Sequence, residues 1–190
     1  MRRLAEPAAT EAERHFALFP TTLGECGLAW QGDRLTNVLL PAGDAAATRS
    51  LLRHLSGAAA APDPWPAFVQ QAVASMQALL RGEAAVLTEV PLAWPSVGDF
   101  ERRVYEATQR LLPGETRTYG ELARELGDAG AARAVGVALG RNPWPLVVPC
   151  HRVLAAGGKL GGFSAPGGVA TKLRLLAIET PLARREGELF

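Results

Sequence analysis

Two cysteines in 190 residues are too few for a disulfide framework, and Cys26 and Cys150 stand far apart in the chain. That usage suits a reducing compartment, so a cytoplasmic protein is expected. Metal ligands are scarce as well. The three histidines, His15, His54 and His151, show no CxxC or HxxxH spacing with the cysteines, and adjacent Cys150 and His151 are poor chelate partners. Haem attachment would need a second cysteine upstream of the Cys-His pair, and none is there. Neither a metal nor a cofactor is expected. No apolar run approaches the roughly 20 residues that cross a bilayer, which argues against a membrane protein. The first residues, MRRLAEPAATEAER, carry arginines without the apolar stretch of a secretory signal, and residues 1–14 read as a flexible polar tail.

What the chain does have is a core. Apolar residues make up 48% of it, enough to exclude global disorder. Its length fits one medium domain or two small ones. The net charge of +1 is unevenly spread. Residues 1–97 hold 7 Lys/Arg against 9 Asp/Glu, and residues 98–190 hold 13 against 10, so the halves carry −2 and +3. A mildly basic second half is compatible with a polyanionic partner and equally with ordinary solvated charge.

Residues 15–94 read as a small α+β unit. HFALF and CGLAWQ form strands around the turn PTTLGE, and GD makes a two-residue hairpin turn into RLTNVLL. AATRSLLRHL is a short helix, and SGAAAAPDPWP a linker. Pro66 opens a second helix that ends at Leu80, with Gly82 as the stop. AAVLTEVPLAW is a further candidate strand. Nothing in this half looks chemical.

After WPSVG the character changes, and residues 98–181 read as a second unit. Asp99 is placed to cap a helix with Phe100, Val104, Ala107 and Leu111 on one stripe. Thr118 and Glu121 have capping-box spacing at the start of YGELARELG, and Gly127 ends it. A tight DAG turn leads to AARAVGVALG, and the pair makes a helix-turn-helix pattern, a weak signal by itself. The second helix is almost all small residues: Ala131, Ala132, Ala134, Gly136 and Ala138. Such a helix either packs tightly on another or approaches a surface closely. Arg133 is the one long side chain between Ala131 and Leu139, out of place in a core and well placed against a nucleic-acid groove. Leu146 to Val148 read as a buried strand. A glycine-rich loop, GGKLGGFSAPGG, precedes a final helix with Leu173, Leu176 and Ala177 inward. Glu179 is expected at that helix's C-terminal end, where a carboxylate opposes the dipole and calls for a partner.

NPWPLVVPCHRVL, from Asn142 to Leu154, carries the chemistry. A lone cysteine in an apolar run is most often a buried spacer. Here Pro149 puts Cys150 at the edge of an element, and His151 is a natural base. Neighbours in a strand point to opposite faces. Cys150 and His151 therefore cooperate only through a sharp turn or a bridging water. A free thiol, with a pKa of about 8.5, is mostly protonated at neutral pH. An imidazole nearby raises the reactive fraction, and Glu179 could orient it as the third member of a relay.

PCHRV, with RNPWP just upstream, ARAVG before that and GETRTYGELA further back, resembles the O6-alkylguanine-DNA alkyltransferase family. The resemblance is strong over about residues 98–180 and covers the first half only in outline. It implies an α+β fold, with an N-terminal RNase H-like unit on a small antiparallel sheet. A mostly helical, winged-helix-like C-terminal unit would hold the helix-turn-helix. It implies repair of double-stranded DNA by a monomer, cytoplasmic or on the nucleoid. The methyl or small alkyl group of O6-alkylguanine, with O4-alkylthymine as an alternative substrate, moves irreversibly to Cys150. His151 then draws the thiol proton through a water, Glu179 holds His151, and Asn142 supports the turn. Tyr119 crowds a phosphate and donates a hydrogen bond to the leaving guanine. Arg133 replaces the extruded base, while Gly120, Ala131, Ala132 and Gly136 lie against the minor groove. Val153, Phe163, Ser164 and Leu139 shape the pocket. Two departures stand out: Phe163 replaces a common Tyr, and Ala165-Pro166 lie between Ser164 and Gly167-Gly168.

The chemistry agrees with that implication. A group on guanine O6 is inaccessible inside a duplex, so the base must be flipped, at a few kcal/mol. Two other functions fit parts of the sequence. A turnover cysteine hydrolase would use Cys150, His151 and Glu179 but has no need of Arg133 on a slim helix. A lesion-flagging DNA-binding module would not need Cys150.

Overall fold

The computed structural model describes residues 13–94 and 98–187, with side chains to residue 180. Three strands open the chain: β1 (Arg14–Thr21), β2 (Gly24–Gln31) and β3 (Arg34–Leu39). Gly32, at φ 58°, makes the left-handed turn of the GD hairpin. Residues 1–12 of the expected tail, 1–14, lie outside the described residues, and Arg14 already opens β1. Alternation along the strands feeds two layers. Phe16, Ala29 and Leu39 pack under α1 (Ala45–Ser56) with Leu52. Ala17, Phe19, Leu28 and Trp30 face the main core with Val69, Val73 and Met76 of α2 (Ala67–Leu80). Both faces of β2 are therefore covered, which is why Cys26 to Trp30 are all buried. A Cβ at Gly27 would come within 2.6 Å of Leu52 Cδ2, so glycine there lets α1 lie close on the sheet.

Three expectations change in this half. β4 (Ala59–Ala60), within the supposed linker, pairs parallel to β1 and makes the sheet mixed, in the order β3-β2-β1-β4, rather than antiparallel. Two alanines carry no periodic signal to announce it. AAVLTEVPLAW is not a strand. It touches β3 at one bridge, with Leu35 N donating to Pro91 O and Ala93 N to Leu35 O, both at 2.8 Å. Pro91 has no N–H to extend the ladder.

The second half is mostly helical. α3 (Asp99–Gln109) buries Val104 and Ala107, with Leu111 just beyond it. Its N-cap position is Gly98 rather than Asp99, whose carboxylate sits in the first turn and favours the helix dipole. β5 (Arg117–Thr118) leads into α4 (Tyr119–Glu125), and both capping-box bonds of Thr118 and Glu121 are present. A single 3-10 turn, Ala129–Ala131, joins α4 to α5 (Ala132–Gly140). Tyr105 Oη donates to Ala138 O at 2.9 Å and ties α3 to α5. β6 (Val153–Leu154) pairs parallel with β5.

The closing helix, α6 (Gly168–Gly187), turns a different face inward from the one expected. Lys172, Leu175 and Glu179 are buried, whereas Leu173 and Ala177 are exposed and Leu176 is half-buried. Glu179 is not at its C-terminal end, so the dipole is not what it answers to; its partners are described below.

One apolar core runs through both halves. Trp144 fills its centre. Its indole N–H donates to Leu35 O at 3.0 Å, and Trp94 and Tyr105 meet its ring edge-on at 5.3 and 6.0 Å. Val38 N donates to Pro143 O at 2.8 Å. The strand edge of the first half thus braces the segment that delivers Cys150.

Candidate active site

Leu146 to Val148 form a turn, not a strand. Pro143, Pro145 and Pro149 deprive this run of ladder donors, and Leu146 sits at φ 75°, unusual for a residue with a Cβ. Such a conformation costs about 1–3 kcal/mol and persists where its surroundings hold it. Asn142 does so here: its Nδ2 donates to Val148 O at 2.8 Å, and its Oδ1 accepts from Trp144 N at 3.0 Å. Pro149 (φ −79°, ψ 67°) then makes an inverse γ-turn, closed by Cys150 N donating to Val148 O at 2.8 Å. Cys150, His151 and Arg152 continue as one 3-10 turn. This is the sharp turn that thiol and imidazole need if they are to work together.

His151 is fully buried, and its Nε2 lies 3.0 Å from Glu179 Oε1. Arg152 grips the same carboxylate with both arms, Nη2 to Oε1 at 2.7 Å and Nε to Oε2 at 2.9 Å. Its Nη1 donates to Leu111 O, and Gly114 N donates to Glu179 Oε2 at 3.3 Å. Burial alone would push the Glu179 carboxyl up. The hydrogen bonds from His151 and Arg152, with their charge, outweigh it and hold the group at about 2. Burial pushes the His151 imidazole below its ordinary 6.5 despite Glu179. A neutral ring bonded to a carboxylate carries its proton on Nε2, which leaves Nδ1 as the acceptor. That Nδ1 is buried and without a partner among the described residues. It is a base with its lone pair free.

Burial likewise pushes the Cys150 thiol above its ordinary 9.0. Asn142, the charge of Lys172 and the N–H groups of Cys150 and His151 pull the other way without overcoming it. At rest the group is a thiol, and the thiolate has stabilising neighbours once a base removes the proton. Lys172 is itself fully buried on α6. Its Nζ donates to Val153 O at 2.6 Å and lies 5.9 Å from the centre of the Tyr119 ring.

A cavity of about 460 Å³ opens beside the sulfur. It is lined by Tyr119, Gly136, Leu139, Gly140, Cys150 and Gly162, with Phe163 and Ser164. Burial, then the nearby Cys150, raises the Tyr119 hydroxyl above 10, so it remains a donor at neutral pH. A Cβ on Gly136 would reach 3.9 Å from the Tyr119 ring, so a larger residue there would narrow the cavity. Val153, fully buried in β6, is not part of the lining. Gly120, Ala131 and Ala132 are half-buried at the helix-turn-helix, and a Cβ on Gly120 would meet nothing within 4 Å. Arg133 is exposed on α5, with no hydrogen bond or ion pair among the described residues. Also among these residues, no three His, Cys, Asp or Glu side chains gather as a metal set, and no helix is long and apolar enough to cross a membrane.

Arg152 and Lys172 were assigned no role from the sequence. Arg152 has no signal beyond its place after His151. Lys172 has one: with Leu175 and Glu179 it marks a single helical face, which a search for apolar residues alone passes over.

A thiol at the edge of an open cavity, with a buried imidazole and carboxylate behind it, defines a cysteine nucleophile protein. The comparisons narrow this. Residues 99–181 match the family model of the 6-O-methylguanine DNA methyltransferase DNA binding domain. The chain is 37% identical over 177 residues to the methylated-DNA–protein-cysteine methyltransferase of Mycobacterium bovis, covering 93% of this chain and 98% of that protein. The protein of the same name from Methanosarcina acetivorans is 41% identical over 121 residues, 62% of this chain and 75% of that one. The crystal structure of Mycobacterium tuberculosis O6-methylguanine methyltransferase matches with a TM-score of 0.71 at 35% identity, covering 88% of this chain and 93% of that one. The structure of Mycobacterium tuberculosis OGT in complex with DNA gives the same values. The O6-methylguanine-DNA methyltransferase of Pyrococcus kodakaraensis matches at 0.61 and 25% identity, over 87% and 98% of the chains. The chain belongs to the methylated-DNA–protein-cysteine methyltransferase family.

Proposed function

We propose that this protein repairs double-stranded DNA by moving the alkyl group of O6-alkylguanine to Cys150, once per molecule. The observation that carries the proposal is the free Nδ1 of His151, on a ring locked by Glu179 one residue along the chain from a thiol that borders an open cavity. Through a bridging water, His151 takes the thiol proton and sulfur attacks the alkyl carbon. The carbon–O6 bond breaks, and its electron pair leaves with guanine, which gains a ring proton. Loss of one proton from sulfur balances that gain. Tyr119 donates a hydrogen bond to the leaving ring as charge grows there. The thioether has no hydrolytic way back, hence a single turnover.

Asn142 is the positioning residue for this turn. Phe163, Ser164 and Leu139 border the flipped base, with Val153 supporting the pocket from within the core. Gly120, Ala131, Ala132 and Gly136 form the side chain-poor surface that a minor groove accepts. Arg133 fills the gap left by the base, at low electrostatic cost among phosphates. The β3-β2-β1-β4 sheet with its helices supports an RNase H-like reading of residues 15–94. The helix-turn-helix beside the β5–β6 pair supports a winged-helix-like reading of 98–181. The expected state is a monomer in the cytoplasm that joins the nucleoid when bound to DNA.

The test is an intact mass after incubation with a duplex carrying O6-methylguanine. The expected result is one added methyl on Cys150, absent in Cys150→Ser; a methyl on any other residue overturns the proposal. The finger has its own test. Arg133→Ala is expected to slow repair in duplex DNA at least tenfold more than reaction with free O6-benzylguanine, since flipping costs a few kcal/mol that the free base does not incur. Equal slowing of both would refute the flipping role.

A further inference from the structure

Among the described residues, Arg152 and Glu179 make the one arginine–carboxylate pair that is buried on both sides. Their side chains are 5% and 2% exposed, whereas the other such pairs lie at the surface. The relay from Glu179 to His151 needs a carboxylate and an imidazole, and no guanidinium. Apolar residues of similar volume often stabilise a core as well as a buried ion pair does, so stability gives no reason for the arginine. Nor is it placed to meet DNA. Arg152 is buried, and its Nε, Nη1 and Nη2 all have partners inside the protein.

The charge of the cluster gives a reason. Glu179 Oε1 accepts from His151 Nε2 and Arg152 Nη2, and Oε2 accepts from Arg152 Nε and Gly114 N. Each oxygen meets two donors, which takes up the lone pairs of the carboxylate. A buried carboxylate beside an imidazole carries one negative charge, and a proton on the ring would cancel it. Arg152 cancels it already. A proton on the ring then leaves the buried group with a net positive charge, which burial opposes. The titratable and charged groups that face the ring are Glu179 and Lys172 from α6, and Arg152 and Cys150 from its own turn. Burial is the first cause of the ring's low proton affinity. Glu179 works against it, and the charges of Arg152 and Lys172 add to it.

We infer that Arg152 is a positioning residue that keeps His151 neutral: it holds the Glu179 carboxylate so that the carboxylate orients the ring without drawing a proton onto it. The inference rests on the alkyl-transfer reading above and deepens it, by naming the group that leaves Nδ1 open to the Cys150 proton. Without that grip the carboxylate would still bond Nε2, but it would charge the ring in mildly acidic solution, and a charged ring is no base.

The test follows the ring nitrogens of His151 by NMR in DNA-free protein, together with the rate of methyl transfer from an O6-methylguanine duplex, between pH 5 and pH 9. In wild type the ring is expected to stay neutral to below its ordinary 6.5, with its proton on Nε2. Arg152→Met, which keeps the length of the side chain and removes its charge, is expected to raise the midpoint of the ring by about one pH unit or more, a tenfold change in proton affinity. The acid limb of the rate profile should move up with it, so that the variant loses rate at pH 6 that wild type keeps. Arg152→Lys keeps a charge but not the two-armed grip. It is expected to shift both midpoints in the same direction by less, and it serves if Arg152→Met fails to fold. A wild-type ring that titrates at or above 6.5, or midpoints unchanged in folded variants whose stability alone falls, overturns the inference. A wild type with a neutral ring that transfers no methyl overturns the proposed function itself.

Discussion

Glu179→Ala is expected to destabilise the protein by about 3–5 kcal/mol, because it leaves Arg152 buried without its counter-charge. For a chain of this length that lowers Tm by roughly 6–20 °C. The same carboxylate makes the wild type sensitive to acid. Its folded pKa, about 2, lies below the ordinary 4.5, so its contribution is full above pH 4.5 and is lost as pH falls toward 2. His151 works in the same direction: the folded state binds its proton less readily than the unfolded one, so loss begins below about pH 6.5. Denaturant midpoints measured from pH 7 to pH 3 should fall steadily in wild type and change less in Glu179→Ala. Parallel pH profiles for the two would contradict the placement of this ion pair.

His151→Ala is expected to lower the alkyl-transfer rate at pH 7 by about 10²–10⁴-fold, the usual worth of a positioned general base. DNA affinity should stay within a few-fold, since a fully buried ring has no contact to lose with a ligand. The pH profile separates lost catalysis from lost structure. With His151 present and neutral, the rate should be level from about pH 7 until the thiol itself ionises. Without it, only spontaneous thiolate reacts, and the rate should climb about tenfold per pH unit toward a thiol pKa above 9.0. A level profile in the variant would assign the proton transfer to another group.

The site was more legible in the sequence than the half of the chain that supports it. Cys150 and His151 stand together in a short word, and the chain must turn at Pro149 whatever the rest of the fold does. Glu179 could be found by asking why a carboxylate sits among apolar neighbours, although the reason given, a helix terminus, was wrong, since α6 runs on to Gly187. Arg152 and Lys172 were hidden because burial of a cation is decided by a distant partner, Glu179 in one case and Val153 O in the other. Leu146 to Val148 look like a strand by residue type. Three prolines and a left-handed Leu146 make them a turn, and Asn142 and the packed Trp144 help hold it so. β4 was missed for the opposite reason: its pairing is made by two alanines that any loop could contain.

The most direct measurement is a titration of O6-methylguanine duplex against a fixed amount of protein, counting repaired guanines at completion. The account expects a plateau at one per protein molecule, with the methyl recovered as a thioether on the Cys150 peptide. Repair that continues past one equivalent, or a plateau reached with Cys150 unmodified, would contradict it.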